Sequence, residues 1–310
     1  MPAAPTATPD QIKDANTRYH DVAAPDYDAK WGIDFGPVGQ EQVRSKLVKA
    51  LGAQPARPFG DALEIGAGTG YFSLNLLQLG LIERPTATDI SQGMLDQLAG
   101  SARSLGLTVD RVHTEAERLP FPDQSFDLVF GHAVLHHIPD LQQALREFHR
   151  VLRPRGLMAF CGEPSHYGDR IAALPKRGGA FVAPLWRRLV GASERRDDPP
   201  AASNGHQLES EVDVHAFEPA QLRAEIQRAG FDAVRLRGEE LVANAYGWLL
   251  RSLETSAEPD EVPLRWRQFA FRSYLRLQRL DARLLEPRLP PQLFYNLVLS
   301  ARRPEVSSRR

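Results

Sequence analysis

The run Leu63-Glu64-Ile65-Gly66-Ala67-Gly68-Thr69-Gly70 sets glycines at alternate positions between a short apolar stretch and an amphipathic one. Where a strand hands over to a helix, glycines permit a sharp turn and let a ligand approach the backbone. The free N–H groups of the helix then accept electron-rich groups. A nucleotide-like ligand suits that chemistry. A dinucleotide fingerprint needs its third glycine three residues after the second, but Gly70 follows Gly68 by two and Tyr71 stands in the required place. Glu64, at the strand end, faces the ligand with a carboxylate that repels phosphate but attracts an ammonium group or accepts a hydroxyl hydrogen bond. Asp89 follows the next strand, Thr86-Ala87-Thr88, where an acid can take both hydroxyls of a ribose. Together the two acids ask for a cationic, phosphate-free nucleoside, and S-adenosylmethionine answers that description.

Methyl transfer from a sulfonium is an in-line displacement, so holding the acceptor at near-attack distance supplies most of the gain. A base is needed only where a phenol, alcohol or carbon acid must shed a proton, and histidine suits that at neutral pH. His132, His136 and His137 follow the fourth strand at the carboxyl edge of the sheet, and His166 and Tyr167 follow the fifth. Among them His132 is the candidate catalytic residue. No carboxylate or cysteine completes a metal ligand set around these histidines, and Cys161 reads as a small core residue.

The elements that must position these groups start at Asp61. Short apolar runs at 62–65, 86–88, 108–113, 126–130 and 157–161 alternate with amphipathic helices at 71–79, 92–103 and 141–152. Such alternation means βαβ crossovers, hence an α/β fold whose mostly parallel sheet is covered on both faces. Before it, Asp10 caps a helix to about His20, and a polar stretch with Tyr19, Tyr27 and Trp31 leads to a helix at 40–51. After Glu163 the regularity stops: residues 164 to about 211 read as a structureless lid or binding loop. A helix at 218–230 and a strand at 233–236 follow, then a helical insertion and a last strand at 294–300.

The 310 residues are 42% hydrophobic and 25% charged, which is soluble, globular composition, and 38 basic against 39 acidic side chains leave no global field for nucleic acid. The single cysteine excludes a disulfide framework and fits the cytoplasm. The opening MPAAPTATPD has no basic region before an apolar core, and no uninterrupted apolar run reaches about 18 residues, so neither a signal peptide nor a membrane span is expected.

Five motifs in order carry a family resemblance: Leu63–Gly70; Asp89-Ile90-Ser91 with Met94-Leu95; Glu115-Ala116-Glu117-Arg118-Leu119-Pro120-Phe121; Ser125-Phe126-Asp127 with His136-His137-Ile138; and Leu152-Arg153-Pro154-Arg155-Gly156. Over residues 61 to 163 the chain resembles the class I S-adenosylmethionine-dependent methyltransferases, specifically the methyltransferase type 11 group, and is similar to the quinone C-methyltransferases. The resemblance implies a Rossmann-like, doubly wound seven-stranded sheet in the order 3-2-1-4-5-7-6 with the last strand antiparallel. It implies that Gly66, Ala67, Gly68 and Gly70 line the methionine and ribose, that Glu64 faces the amino group, and that Asp89 holds the ribose. Ile90 and Met94 would then flank the adenine, Glu115 and Ala116 read its amino edge, His132 sit near the methionine end, and Tyr27 close over the cofactor. An adenine or amide N-methyltransferase signature, Asn/Asp-Pro-Pro-Tyr/Phe, is replaced by Gly131-His132-Ala133-Val134. A small-molecule or lipid-like acceptor is therefore expected, rather than DNA adenine or protein glutamine.

Arg272, Arg276, Arg279 and Arg283 fall at steps of four, three and four on one helical face. That face is either solvated, a contact for anionic membrane or a phosphate-bearing acceptor, or a contact for nucleic acid. Phe181, Leu185 and Trp186 either pack or form an apolar wall. The expected organisation is a disordered tip at 1–9, an N-terminal arm with helices at 10–60 and a cofactor-binding core at 61–163. Lid insertions at 164–217 and 242–291 flank a core helix and strand at 218–241, and the final strand lies at 292–302. The alternative reading is a cofactor-binding regulator or scaffold without turnover.

Overall fold

Strands that bury both faces need apolar residues at every position, and the central runs of this chain supply them. In the computed structural model, which describes residues 8–28, 32–195 and 215–305, these central runs pair with more polar edge strands into one seven-stranded sheet. They are β1 (Phe59–Ile65), β2 (Ile82–Asp89), β3 (Asp110–His113), β4 (Phe126–His132), β5 (Leu152–Pro164), β6 (Asp232–Glu239) and β7 (Asn296–Arg302). The order is β3-β2-β1-β4-β5-β7-β6, with β7 antiparallel to both neighbours and the pairs from β3 to β5 parallel, as the resemblance implied. The expected disordered tip, up to residue 7, and Trp31 lie outside the described residues, as does the stretch 196–214 of the first insertion.

Side chains alternate across the sheet and build two cores. Leu63, Ile65, Val129 and Phe160 meet α5 (Leu141–Val151) and α7 (Pro219–Arg228) through Leu145, Phe148, Leu222 and Ile226. Ala62, Leu128, Phe130 and Cys161 face the other way, onto Val43 and Leu47 of α2 (Pro37–Leu51) and Phe72 and Leu76 of α3 (Tyr71–Gln78). The remaining parallel crossover is α4 (Gln92–Ser104), whose first turn is capped by the Ser91 hydroxyl accepting from the Met94 N–H. At the N-terminus, α1 (Pro9–Ala23) starts at Thr8 with a reciprocal capping box to Gln11, two residues before the cap expected at Asp10.

The first insertion departs from the expectation of an irregular lid. Residues His166–Val190 form one long helix, α6, that holds Pro175 and Pro184 in its interior. Each proline removes a helical N–H and normally marks a break, which is why the sequence reads as loop. Gly179 has a packing reason: a Cβ there would lie 2.6 Å from Ser252 Cβ and 3.0 Å from the Leu249 carbonyl of α8 (Val242–Glu254). Trp186 is buried, its ring 5.4 Å from that of Trp266, which opens α9 (Leu264–Leu280). Phe181 and Leu185 form no wall with it, because they point outward from the opposite side of α6.

Two carboxylate clamps fix the second insertion. Asp281, fully buried just after α9, accepts from the Val242 and Ala243 N–H groups at 3.2 and 2.8 Å and so caps α8 from a distance. Glu239 at the end of β6 takes Lys46 at 2.5 Å and Lys49 at 3.0 Å, and Lys49 also reaches Glu286 at 2.9 Å. The charges of Lys46 and Lys49 outweigh burial and hold the Glu239 carboxyl down at about 2. Beside it the Tyr274 hydroxyl donates to Glu240 at 2.6 Å, seating α9 on the sheet edge.

Candidate active site

The carboxyl ends of β1, β2, β3 and β4 open onto a cavity of about 740 Å³, counting space continuous with solvent. Its wall carries Gly66 and Gly68 after β1, Asp89 and Ile90 at β2, Glu115 and Ala116 after β3, His132 at β4, and Tyr27 from the N-terminal arm. These were expected together. Of the other residues expected at the ligand, Glu64, Ala67, Gly70 and Met94 do not border the cavity but support it from behind. Ala67 packs with Ala87 and Leu98, Met94 is fully buried, and Gly70 takes φ +93° at the start of α3 against Leu74 and Leu98.

The glycine loop is shaped by the turn and by space. Gly66 and Gly68 have φ +61° and +53°, where side chains bring strain. A Cβ on Gly66 would lie 2.3 Å from Val134 Cγ2, whereas a Cβ on Gly68 would meet nothing within 4 Å and would enter the cavity. Asp89 ties the loop to β2: one carboxyl oxygen accepts from the Gly68 N–H and the other from the Ser91 N–H, both at 2.8 Å. Burial raises the Asp89 carboxyl above its ordinary value, against the pull of His20 and the backbone N–H groups. An ionised carboxyl has about four acceptor sites, so both oxygens retain capacity for a hydroxyl pair.

Glu64 departs from its expected position against the ligand. It is 2% exposed and turned beneath the loop, where it accepts from the Ser73 N–H of α3 at 3.2 Å. Burial pushes its carboxyl up to about 8, with the Ser73 groups pulling the other way. Since the unfolded value is about 4.3, the folded chain holds a proton there between about 4.5 and 8 that the unfolded chain has lost. Stability therefore falls as pH rises through that window and levels off above it. Glu64→Gln is expected to flatten this part of the melting-temperature profile and to stabilise the cofactor-free protein near pH 8 by about 2 kcal/mol or more. Scanning calorimetry of both proteins from pH 5 to 9 checks it; parallel profiles would refute the assignment.

His132 stacks on Phe72 at 5.1 Å and meets the edge of Tyr71 at 5.8 Å. Gly162 makes room for it, since a Cβ there would sit 2.8 Å from His132 Nε2. Burial, with the charge of Lys46, presses its pKa down to about 3. A neutral imidazole suits a wall facing a cation, and burial works against the protonated state that the general base expected of it must pass through. His166 and Tyr167 are exposed at the start of α6 and do not border the cavity.

Several site residues escaped the sequence reading. Lys13, Asn16 and His20, on one face of α1, border the cavity with His137 and Ile138. Lys13 bridges Glu115 at 2.6 Å and Glu117 at 3.2 Å, so Glu117 is a salt-bridged wall residue. Asn16 is 4% exposed, and its Oδ1 has no partner among the described residues, which leaves an acceptor ready for a ligand donor. Asp28, after Tyr27, accepts from the Thr69 hydroxyl at 2.5 Å and draws the arm over the glycine loop. Fully buried Glu163 organises the turn after β4. One of its oxygens accepts from the Val134 and Leu135 N–H groups at 3.0 and 3.1 Å, and the other meets the His136 N–H at 3.2 Å and Nδ1 at 2.8 Å.

A doubly wound sheet with ligand-accessible glycines after β1 and an acid at the end of β2 defines the nucleoside-binding, Rossmann-like class of enzymes. Residues 63–160 match the family described as methyltransferase domain. The malonyl-[acyl-carrier protein] O-methyltransferase of Methylococcus capsulatus is 30% identical over 230 residues, 69% of this chain and 75% of that one. The ubiquinone/menaquinone biosynthesis C-methyltransferase of Bartonella tribocorum is 34% identical over 180 residues, 53% of this chain and 66% of that one. The chain belongs to the class I S-adenosylmethionine-dependent methyltransferases, and S-adenosylmethionine is its methyl donor. Among solved structures, a Haemonchus contortus phosphoethanolamine N-methyltransferase superposes with a TM-score of 0.59 at 16% identity, over 96% of this chain and 61% of that one, a likeness of fold. The open cradle at Gly68, which allows close approach to the backbone, and the orphaned Asn16 Oδ1, an acceptor at the wall, both fit a nucleoside donor.

Proposed function

We propose that this methyltransferase acts on a small-molecule or lipid-like acceptor, with the residues around the cavity as its donor site. The observation that carries the donor site is Asp89, whose oxygens hold the backbone of Gly68 and Ser91 at the cavity wall beside the open glycine loop. In this reading Asp89 takes the ribose hydroxyls, while Glu115, the Ala116 backbone and Asn16 face the adenine edge. Ile90 flanks the ring, and Gly66, Gly68, Tyr27 and neutral His132 surround the methionine end. Glu64, with Ala67, Gly70 and Met94, acts from behind the loop. The bound donor supplies an electrophilic methyl group. The chain orients it toward the acceptor and excludes water, and α1 with the Asp28–Thr69 hydrogen bond closes the mouth.

Support for the acceptor class comes from the relatives, which are named for malonyl-[acyl-carrier protein] and for ubiquinone and menaquinone. The segments 164–217 and 242–291 act on this reading as insertions beside the acceptor edge of the core formed by 61–163, 218–241 and 292–302. Arg272, Arg276, Arg279 and Arg283 are exposed on and just after α9, and make no ion pair among the described residues. They are available to a phosphate-bearing acceptor or anionic lipid. The buried free thiol of Cys161 agrees with a cytoplasmic setting.

Incubation with methyl-labelled donor and a fractionated cell extract tests the acceptor class. Label is expected in the lipid or small-molecule pools, or on a carrier protein from which thioester cleavage releases it. Label confined to RNA, or to protein that thioester cleavage leaves labelled, refutes it.

A further inference from the structure

Helix α6 buries one side and leaves a second, apolar side uncovered among the described residues. Gly179, Ala183 and Trp186 turn inward onto α8 and its neighbours. At about 100° per residue, Ile171, Leu174, Phe181, Leu185 and Leu189 fall together on the far side, where they are 39, 71, 87, 62 and 78% exposed. Single exposed apolar residues are ordinary, but an unbroken stripe along one helix marks a contact surface. Among the described residues none of α6 lines the cavity, so the stripe is not part of that site.

Charge decides what the surface faces. Arg170, Arg177 and Arg188 are exposed and border the stripe along one edge, within about 40° of one another on the helix wheel. The sequence of the helix carries five Lys and Arg residues against a single acid. An apolar stripe edged by arginines is the pattern of a helix lying in a lipid interface, its stripe among the acyl chains and its cations against phosphates. The helix runs for 25 residues, about 37 Å, which gives a long contact for a sheet of lipid. No helix among the described residues is long and apolar enough to cross a membrane.

We propose that α6 seats this enzyme on an anionic phospholipid bilayer, with Leu174, Phe181, Leu185 and Leu189 entering the headgroup–acyl boundary and Arg170, Arg177 and Arg188 pairing with lipid phosphates. Because α6 begins directly after β5, the seat carries the carboxyl edge of the sheet toward the lipid. The lipid-like acceptor proposed above then has a route that avoids bulk water. That consequence rests on the proposed acceptor class; the seat itself stands on α6 alone.

Sedimentation of the full chain with vesicles tests it, using phosphatidylcholine carrying about a quarter phosphatidylglycerol against phosphatidylcholine alone, with no turnover required. Binding is expected to the anionic vesicles and to weaken as salt rises. The double variant Phe181→Ser/Leu185→Ser is expected to weaken it at least about tenfold. The triple variant Arg170→Ser/Arg177→Ser/Arg188→Ser should weaken it by about tenfold or more and reduce the salt dependence. Both variants should keep the wild-type melting temperature and affinity for S-adenosylhomocysteine, which separates failure of the seat from failure of the donor site. Absence of vesicle binding overturns the proposal. So does binding lost only with Arg272, Arg276, Arg279 and Arg283, or light scattering that shows a dimer dissolved by the Phe181/Leu185 variant.

Discussion

Asp89→Asn is expected to weaken S-adenosylhomocysteine binding by about 100-fold or more, as read by isothermal titration calorimetry. Both oxygens of Asp89 already accept from main-chain donors, Gly68 on one side and Ser91 on the other. An amide places an N–H donor opposite one of those N–H groups, so one tether is lost and replaced by repulsion between donors. The ribose hydroxyls lose a charged acceptor at the same time. A hydrogen bond to a charged group contributes about 1.5–3 kcal/mol, so two give at least about 3 kcal/mol, or a factor of about 100. Asp89→Glu keeps the charge but pushes the carboxyl toward the loop, and should recover part of the loss. In the free protein Asp89→Asn should lower the melting temperature only modestly, because one backbone tie survives. A loss of affinity below about fivefold would remove Asp89 from the ribose.

Legibility of the site varied with the range of the interactions that build it. The glycine loop and Asp89 could be read because their roles are local: each sits at the end of a short apolar run, and that end of a parallel strand faces the ligand edge. Glu64 shows the limit of that logic. Strand position places its carboxyl near the ligand, but the Ser73 N–H in the following helix draws it beneath the loop, and only the packed β1–α3 angle decides that. Lys13, Asn16 and His20 share a helix face at steps of three and four, yet nothing local says that this face lands on Glu115 and the cavity. In α6, Pro175, Pro184 and the pair Gly178-Gly179 carry the punctuation of a loop. The helix forms regardless because Gly179 allows close approach to α8 and Trp186 finds Trp266, contacts between segments about 70 to 80 residues apart. The sheet order came from the family motifs; periodicity alone leaves the place of β7 between β5 and β6 open.

Glu163 belongs to the same nonlocal class and carries the second large effect: Glu163→Ala is expected to destabilise the protein by about 4 kcal/mol or more and to lower its melting temperature by roughly 10 °C. The carboxyl reaches across from β5 to the turn after β4, which the His132–Cys161 register brings alongside. Truncation removes the fully buried acceptor of the Val134, Leu135 and His136 N–H groups, at about 1–3 kcal/mol for each group left unpaired. The same turn holds Val134 against Gly66 and places His137 and Ile138 on the cavity wall, so affinity for S-adenosylhomocysteine should fall with stability. Glu163→Gln separates hydrogen bonding from bulk. Its carbonyl oxygen can serve Val134 and Leu135 while its amide donates to His136 Nδ1, with the ring proton on Nε2. Only the bond to the His136 N–H is then lost, a cost of about 1–2 kcal/mol. Melting curves that rank the wild type above Glu163→Gln and both well above Glu163→Ala support a carboxyl that organises the cavity wall. Equal losses in the two variants would mean that its charge, and not its pair of acceptors, holds the turn.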